Sequence, residues 1–235
     1  HRSGHSFPTR RSSDLSLLIA YYIYISDKFT EPKGLCVKAF IIGILISFPI
    51  GLLNEYFIWS YENPHDYAWL AGITEESVKF LAFLFLAKKH FELDEPMDAI
   101  VYGTLVSLGF ATLENYQYVY VLYPDAANYT AIWRAFTAIP MHACCGIIMG
   151  FHLGLYIFYG SKTDLYKALL LPMIFHALYN FTITAAGIFW GIIVLWFIFS
   201  YAMRLHKAVK IVQSLKSEEK EDRKSTRLNS SHLLI

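Results

Sequence analysis

Long apolar runs separated by short polar connections recur along the whole chain. Hydropathy divides it into seven segments, at about residues 15–26, 35–57, 69–88, 97–122, 131–159, 164–187 and 188–206. The first is short, and almost nothing joins the last two, around Ala186–Gly187. The others approach or exceed the roughly 20 residues a helix needs to cross a bilayer. The pattern predicts an all-α fold, a polytopic integral membrane helical bundle of about seven transmembrane helices. No repeat, low-complexity run or second domain interrupts it.

The two ends depart from this pattern. His1–Leu15 (HRSGHSFPTRRSSDL) and Arg223–Ile235 (RKSTRLNSSHLLI) resemble conceptual translations of sequencing-adapter sequence. Both are set aside as foreign and disordered, as a tag would be. Residues 16–210 then form the membrane-embedded domain and 211–222 a polar cytoplasmic tail. On this reading the natural protein is cut at both ends, and the first apolar segment is the remnant of a longer helix.

Charge in the connections gives an orientation. Lys28, Lys33 and Lys38 follow the first segment, Lys88 and Lys89 the third, Lys162 and Lys167 the fifth, and Arg204, Lys207 and Lys210 the last. The intervening connections hold Glu55, Glu62, Asp66 and Asp125 without Lys or Arg. Basic and non-basic loops therefore alternate, and the positive-inside rule places the basic loops and the carboxyl end in the cytoplasm. Tyr and Trp gather near the opposite ends of the spans, among them Tyr56, Trp59, Trp69, Tyr118 and Trp133, as an interfacial belt would.

Composition agrees with a membrane protein: 55% of residues are hydrophobic and only 17% charged. Twenty Lys and Arg against nineteen Asp and Glu leave no basic field for nucleic acid. A soluble enzyme, a DNA binder and a disordered chain are excluded. The three cysteines, Cys36, Cys144 and Cys145, lie in apolar context, two of them adjacent, so no disulfide framework is expected.

The informative residues are the ionisable ones inside apolar spans, where a charge costs about 2.5–3.5 kcal/mol on insertion scales and marks function by default. These are Glu75, Glu76, Lys79, Glu114, His142 and His176. At 1.5 Å per residue, the two glutamates lie about 9–11 Å, Glu114 about 12 Å and each histidine about 16 Å from the non-basic end of its span. Four helices thus place acid or imidazole groups in one layer of the outer half of the bilayer. Spacing gathers them onto faces. Lys79 stands one turn from both glutamates, Phe110, Glu114 and Tyr118 stack at i,i+4, and Asn180 lies one turn beyond His176, where it can orient the imidazole or a water. His142 shares a face with Gly146, Gly150 and Gly154, a small-residue row that admits a neighbouring helix. Asn115 beside Glu114 supplies interhelical hydrogen bonding. His152 reads as a hydrogen-bonded core residue, and Asp94, Glu95 and Asp98 as a solvated helix start.

Carboxylates and imidazoles are the groups that activate water, directly as general bases or by holding a zinc ion with one open position. The HExxH zinc signature, a phosphate loop, a dinucleotide fingerprint and a serine nucleophile elbow are all missing. Two other uses of the same residues remain open: a proton relay in a transporter or channel, and a non-catalytic groove that binds a single-span protein.

EESVK (Glu75–Lys79), DEPMDAIVYG (Asp94–Gly103), FATLEN (Phe110–Asn115), PMHACCGIIMG (Pro140–Gly150) and FHALYN (Phe175–Asn180) resemble, in the same order, the motifs of the PrsW family of bacterial intramembrane proteases, relatives of the CAAX prenyl endopeptidases. The likeness covers about residues 34–205. It implies an intramembrane peptidase in the bacterial cytoplasmic membrane that cuts a membrane-anchored protein on the extracytoplasmic side, with an anti-sigma factor as the family's best-known substrate. It maps the family's paired glutamates onto Glu75 and Glu76, its lysine onto Lys79, and its later acid and histidines onto Glu114, His142 and His176. Glu75 and Glu76 are then the expected water-activating acids, and Glu114, His142 and His176 complete the catalytic set. Lys79, Asn115 and Asn180 support it. The family is classed as metallopeptidase, which makes Zn²⁺ or another divalent ion the expected cofactor and Glu76, His142 and His176 its ligands. The related CAAX enzymes leave a metal-free, glutamate-activated water open.

Overall fold

The computed structural model describes residues 7–89 and 93–232, with side chains for 14–87 and 93–219. Eight α-helices follow in order: α1 (Phe7–Ser26), α2 (Lys33–Asn54), α3 (Leu70–Lys89), α4 (Pro96–Gln117), α5 (Ala127–Phe136), α6 (Ala138–Tyr159), α7 (Lys162–Ala186) and α8 (Ile188–His232). This is the expected polytopic helical membrane fold. Among the described residues, five helical stretches are long and apolar enough to cross a membrane: 33–59, 96–122, 124–159, 162–186 and 188–219. The helix α3 is not one of them, since Glu75, Glu76 and Lys79 interrupt its apolar face. His1–Ser6 and residues 233–235, within the ends set apart by sequence, lie outside the described residues, as do the side chains of Lys88 and Lys89. The backbone of α1 and α8 continues helically into both ends.

Two boundaries differ from the hydropathy segments. The fifth divides into α5 and α6 at Thr137, whose backbone (φ −124°, ψ −67°) is not helical. Pro140 explains the break, because its ring would meet the carbonyl of residue 136 in a continuous helix. The last segment continues as one helix to His232, because helical backbone does not require an apolar sequence once a preceding span has nucleated it.

At the centre stands α4, with every residue from Met97 to Ala111 buried. A helix apolar around its whole circumference belongs inside a bundle, and α4 packs between α2 and α6, with α1 also against it. The outer helices present large apolar side chains outward, among them Leu45, Phe48, Trp196 and Phe197, as lipid contact requires. All three cysteines are buried free thiols.

Small residues set the closest helix approaches. A Cβ on Gly150 would stand 2.3 Å from the Ala99 carbonyl oxygen, and one on Gly146 2.7 Å from Thr104 Cα, so the small-residue row of α6 is the seam against α4. A Cβ on Gly72 would lie 2.3 Å from the Ala177 nitrogen, which fixes α3 against α7 next to His176. Gly150→Ala is expected to destabilise the protein by about 1–3 kcal/mol through overpacking. Gly34→Ala, whose Cβ meets nothing within 4 Å, is expected to be neutral. Thermal unfolding in detergent compares them, and equal midpoints would refute the seam.

Candidate active site

The residues of the predicted layer come from α3, α4, α6 and α7 and meet in one cluster. Glu75, Glu76, Lys79, His142 and His176 are all essentially fully buried. Lys79 organises them. Its Nζ donates to Glu76 Oε1 at 2.8 Å, lies 3.6 Å from Glu75 Oε2, and stands 4.0 Å from the centre of the Phe110 ring. It also lies 2.9 Å from His142 Nδ1. An ammonium has only protons to offer, so Nδ1 accepts, and the imidazole proton sits on Nε2. That nitrogen faces Glu114 Oε2 at 2.9 Å and donates to it.

The second imidazole is held the other way round. His176 Nδ1 donates to Glu76 Oε1 at 2.9 Å and lies 3.9 Å from Glu75 Oε2. A neutral His176 therefore carries its lone pair on Nε2, available to a proton or a metal. The two imidazole rings meet edge to face, with centroids 5.0 Å apart. Glu75 Oε1 accepts from Asn54 Nδ2 at 3.1 Å, and Asn54 Oδ1 accepts from Thr74 at 2.6 Å. One oxygen of each glutamate, Glu75 Oε2 and Glu76 Oε2, is buried without a hydrogen-bond partner. Buried carboxylate oxygens rarely stay unsatisfied, so a water or an ion at this point is the natural complement.

Glu114 is shared. Besides His142 it accepts from Arg134 Nη2 at 2.7 Å, while Arg134 Nε donates to Asn115 Oδ1 at 2.9 Å. The guanidinium also lies 3.9 Å from the centre of the Tyr118 ring. The stacked face of α4 thus has Phe110 under Lys79, Glu114 between His142 and Arg134, and Tyr118 under Arg134. Arg134 and Asn54 were not foreseen. Both are polar residues inside apolar segments, 35–57 and 131–159, which was the available signal, but each sits near a segment end, where a polar side chain can reach the interface. Asn180 donates through its amide to the Ala68 carbonyl at 3.1 Å, tying α7 to the start of α3, and it lines the same cavity as His176. His152 bonds Asp164 at 2.7 Å, away from the cluster. Asp94, Glu95 and Asp98 do start α4, with a capping box between Glu95 and Asp98, but Glu95 and Asp98 are buried and only Asp94 is exposed. The sequence reading of a solvated helix start fails because Gln213, from the unforeseen extension of α8, covers it.

A cavity of about 450 Å³ opens on the cluster, with Glu114, His142 and His176 on its floor and Trp59, Arg134 and Asn180 on its walls. Glu75 and Glu76 lie behind the two imidazoles. Ligand atoms of Glu75, Glu76, His142 and His176 all fall within 4.8 Å of one another. This donor set of carboxylate oxygen and imidazole nitrogen is of the kind zinc takes. Two carboxylates against the single ammonium leave one negative charge in excess, and two open oxygens, so the residues fit a divalent ion.

The chain matches, over residues 31–204, the model of a family described as PrsW family intramembrane metalloprotease. Among curated proteins it is similar to the Protease PrsW of Oceanobacillus iheyensis, 35% identical over 201 residues, covering 80% of this chain and 91% of that one. The Protease PrsW of Geobacillus kaustophilus is 37% identical over 171 residues, covering 70% and 74%. That of Bacillus subtilis is 32% identical over 198 residues, covering 80% and 88%. No solved structure matches the chain.

Arg134→Ala is expected to destabilise the protein by about 2 kcal/mol, because it leaves the mostly buried Glu114 carboxylate with the neutral His142 donor and no cation. Adding Glu114→Gln is expected to recover part of that loss, since the double variant holds no unpaired charge. A double-mutant cycle by thermal unfolding measures the coupling, and strictly additive losses would show that the pair does not act as one.

Proposed function

The chain belongs to the PrsW family of intramembrane proteases, and on that premise we propose that it hydrolyses a peptide bond of a membrane-anchored protein with water activated at the Glu75–Glu76 pair. The observation that carries this is the pair of open, buried oxygens, Glu75 Oε2 and Glu76 Oε2, set against two imidazoles at the floor of a cavity. A water drawn to them sits where the carboxylate pair and the imidazole pair meet. Glu76 is committed through its other oxygen to Lys79 and His176, which hold it as an anion. Glu75, hydrogen-bonded by Asn54 and held more loosely by Lys79 at 3.6 Å, is the proton acceptor. His176 lines the cavity, and once its Nε2 takes up a proton it donates to the oxyanion that forms as the scissile carbonyl is attacked, while His142, with both nitrogens engaged, holds Glu114 in place. Arg134 holds Glu114, and Glu114 in turn fixes the His142 ring and its tautomer.

A divalent ion, when bound, supplies Lewis-acid polarisation of the water and the carbonyl. Since His142 has both nitrogens engaged, Glu75, Glu76 and His176 would hold it. The substrate class we favour is a single-span protein, with an anti-sigma factor as candidate. Placing the basic connections in the cytoplasm puts the cavity and the cut on the extracytoplasmic side.

The test is cleavage in native membranes of a panel of tagged single-span proteins, anti-sigma factors included, co-expressed with the full chain. Wild type is expected to release an outer-side fragment. Glu76→Gln and His176→Ala are expected to lower its rate on the order of 10³-fold or more, as loss of groups that act as a unit does. Chelation followed by metal add-back separates the two forms of the mechanism: activity that falls and returns means a metal, and activity that persists means glutamate-activated water alone. Equal cutting by all three proteins would remove the site from the reaction. A client bound but left whole by folded wild type would favour a binding role.

A further inference from the structure

A second group of carboxylates lies at the other end of α4, about 24 Å from Glu114 along the helix. Asp27 follows α1, Glu31 sits in the link to α2, and Asp94, Glu95 and Asp98 begin α4. All but Asp94 are buried. Among the described residues none of the five is in an ion pair. The donors that reach them are few and neutral. Phe29 N and Gln213 Nε2 donate to Asp27 Oδ1 at 3.0 and 2.8 Å. Gln213 also donates to Glu95, and the Tyr102 hydroxyl to Glu31. The backbone nitrogens of Asp94 and Glu95 donate to Asp98 Oδ2 at 2.8 and 2.7 Å.

Two oxygens are left over. Asp27 Oδ2 and Asp98 Oδ1 are buried with no donor to them, although the Asp98 and Glu31 side chains pair with each other. They belong to residues whose ligand atoms, with one of Glu95, all lie within 4.8 Å of one another. Glu31 and Asp94 make a second such group with Asp98. A concentration of buried carboxylates with no ion pair among the described residues is costly, and neutral donors and the more distant charge of Lys216 near Glu95 offset only part of it. The carboxyl end of α1 adds its negative pole beside Asp27, while the amino end of α4 offers its positive pole to Glu95 and Asp98.

We propose that Asp27, Glu95 and Asp98 bind one hard divalent cation of the Mg²⁺ or Ca²⁺ class, with Glu31 and Asp94 at its margin. The all-oxygen set selects such ions over zinc, which prefers nitrogen and sulfur. Exposed Asp94 provides the entry and room for the ion's remaining waters. The bound ion ties the end of α1 to the start of α4, beneath the α8 residue Gln213. This site is independent of the Glu/His cluster and of the protease reading.

The experiment uses the purified full chain in detergent, with Mn²⁺ as an electron-paramagnetic probe. The His176→Ala variant, which keeps Lys79 paired with Glu76 and Glu75, disables the other cluster without stranding that charge. In that background Mn²⁺ is expected to bind, to be displaced by Mg²⁺ or Ca²⁺, and to raise the unfolding midpoint. Adding Asp27→Asn is expected to weaken Mn²⁺ at least tenfold. Glu95→Gln, which keeps a polar partner for Gln213, is the second variant should Asp27→Asn not fold. The proposal is overturned if the background protein takes up no Mn²⁺, or if both carboxamide variants bind it as well as their parent. It is equally overturned if the midpoint follows pH and ignores all three cations, since the carboxylates would then be sharing protons.

Discussion

The Lys79 ammonium is a fully buried positive charge, and the architecture around it follows from the need to satisfy it. Its partners come from its own helix, at Glu75 and Glu76, and from α6, at His142. The Phe110 ring of α4 closes the remaining side. An unpaired charge in this position would cost several kcal/mol. The cluster is therefore a condition for assembling α3 against the α4–α6 core as well as a place for chemistry. One proton direction, lysine to imidazole, fixes the tautomer of His142, and that tautomer fixes the bond to Glu114. Glu76, shared between Lys79 and His176, carries the same chain of constraints to α7.

The packing that permits this is unusually close. Gly146 and Gly150 let α6 lie on the backbone of α4, and Gly72 lets α3 lie on α7 beside His176. Side chains of ordinary length on α3, α6 and α7 then reach a common point. Apolar helices have little reason to choose one rotation over another in lipid. Here small residues and a polar cluster together select it. The break at Thr137 belongs to the same scheme: it ends α5 where Arg134 can turn onto Glu114 and the Tyr118 ring, so that the α4 acid of the layer is neutralised by a neighbour 20 residues away along the chain.

The bundle thus has two polar ends of different character. At one, carboxylate and imidazole are mixed with two cations, Lys79 and Arg134, next to a cavity. At the other, carboxylates from the α1–α2 link and from the start of α4 are covered by Gln213 of α8 and meet neutral donors. α4 runs between them, contributing Glu114 to the first and Asp98 to the second, which is consistent with its being the most enclosed helix of the fold.

The sequence by itself determined the helical segments, the layer holding Glu75, Glu76, Lys79, Glu114, His142 and His176, and the small-residue face of α6. Those follow from run length, helical period and the cost of a charge in an apolar span, all of which are local or nearly so. Tertiary structure alone decided who pairs with whom: His142 between Lys79 and Glu114, Arg134 on Glu114, Asn54 on Glu75, Asn180 on Ala68, and the burial of Asp27, Glu95 and Asp98. Such pairings depend on the rotation and tilt of each helix, on a proline-induced break in α5–α6, and on how far α8 extends past its apolar part. Hydropathy measures how readily a residue leaves water, and it carries no information about which partner waits for it there.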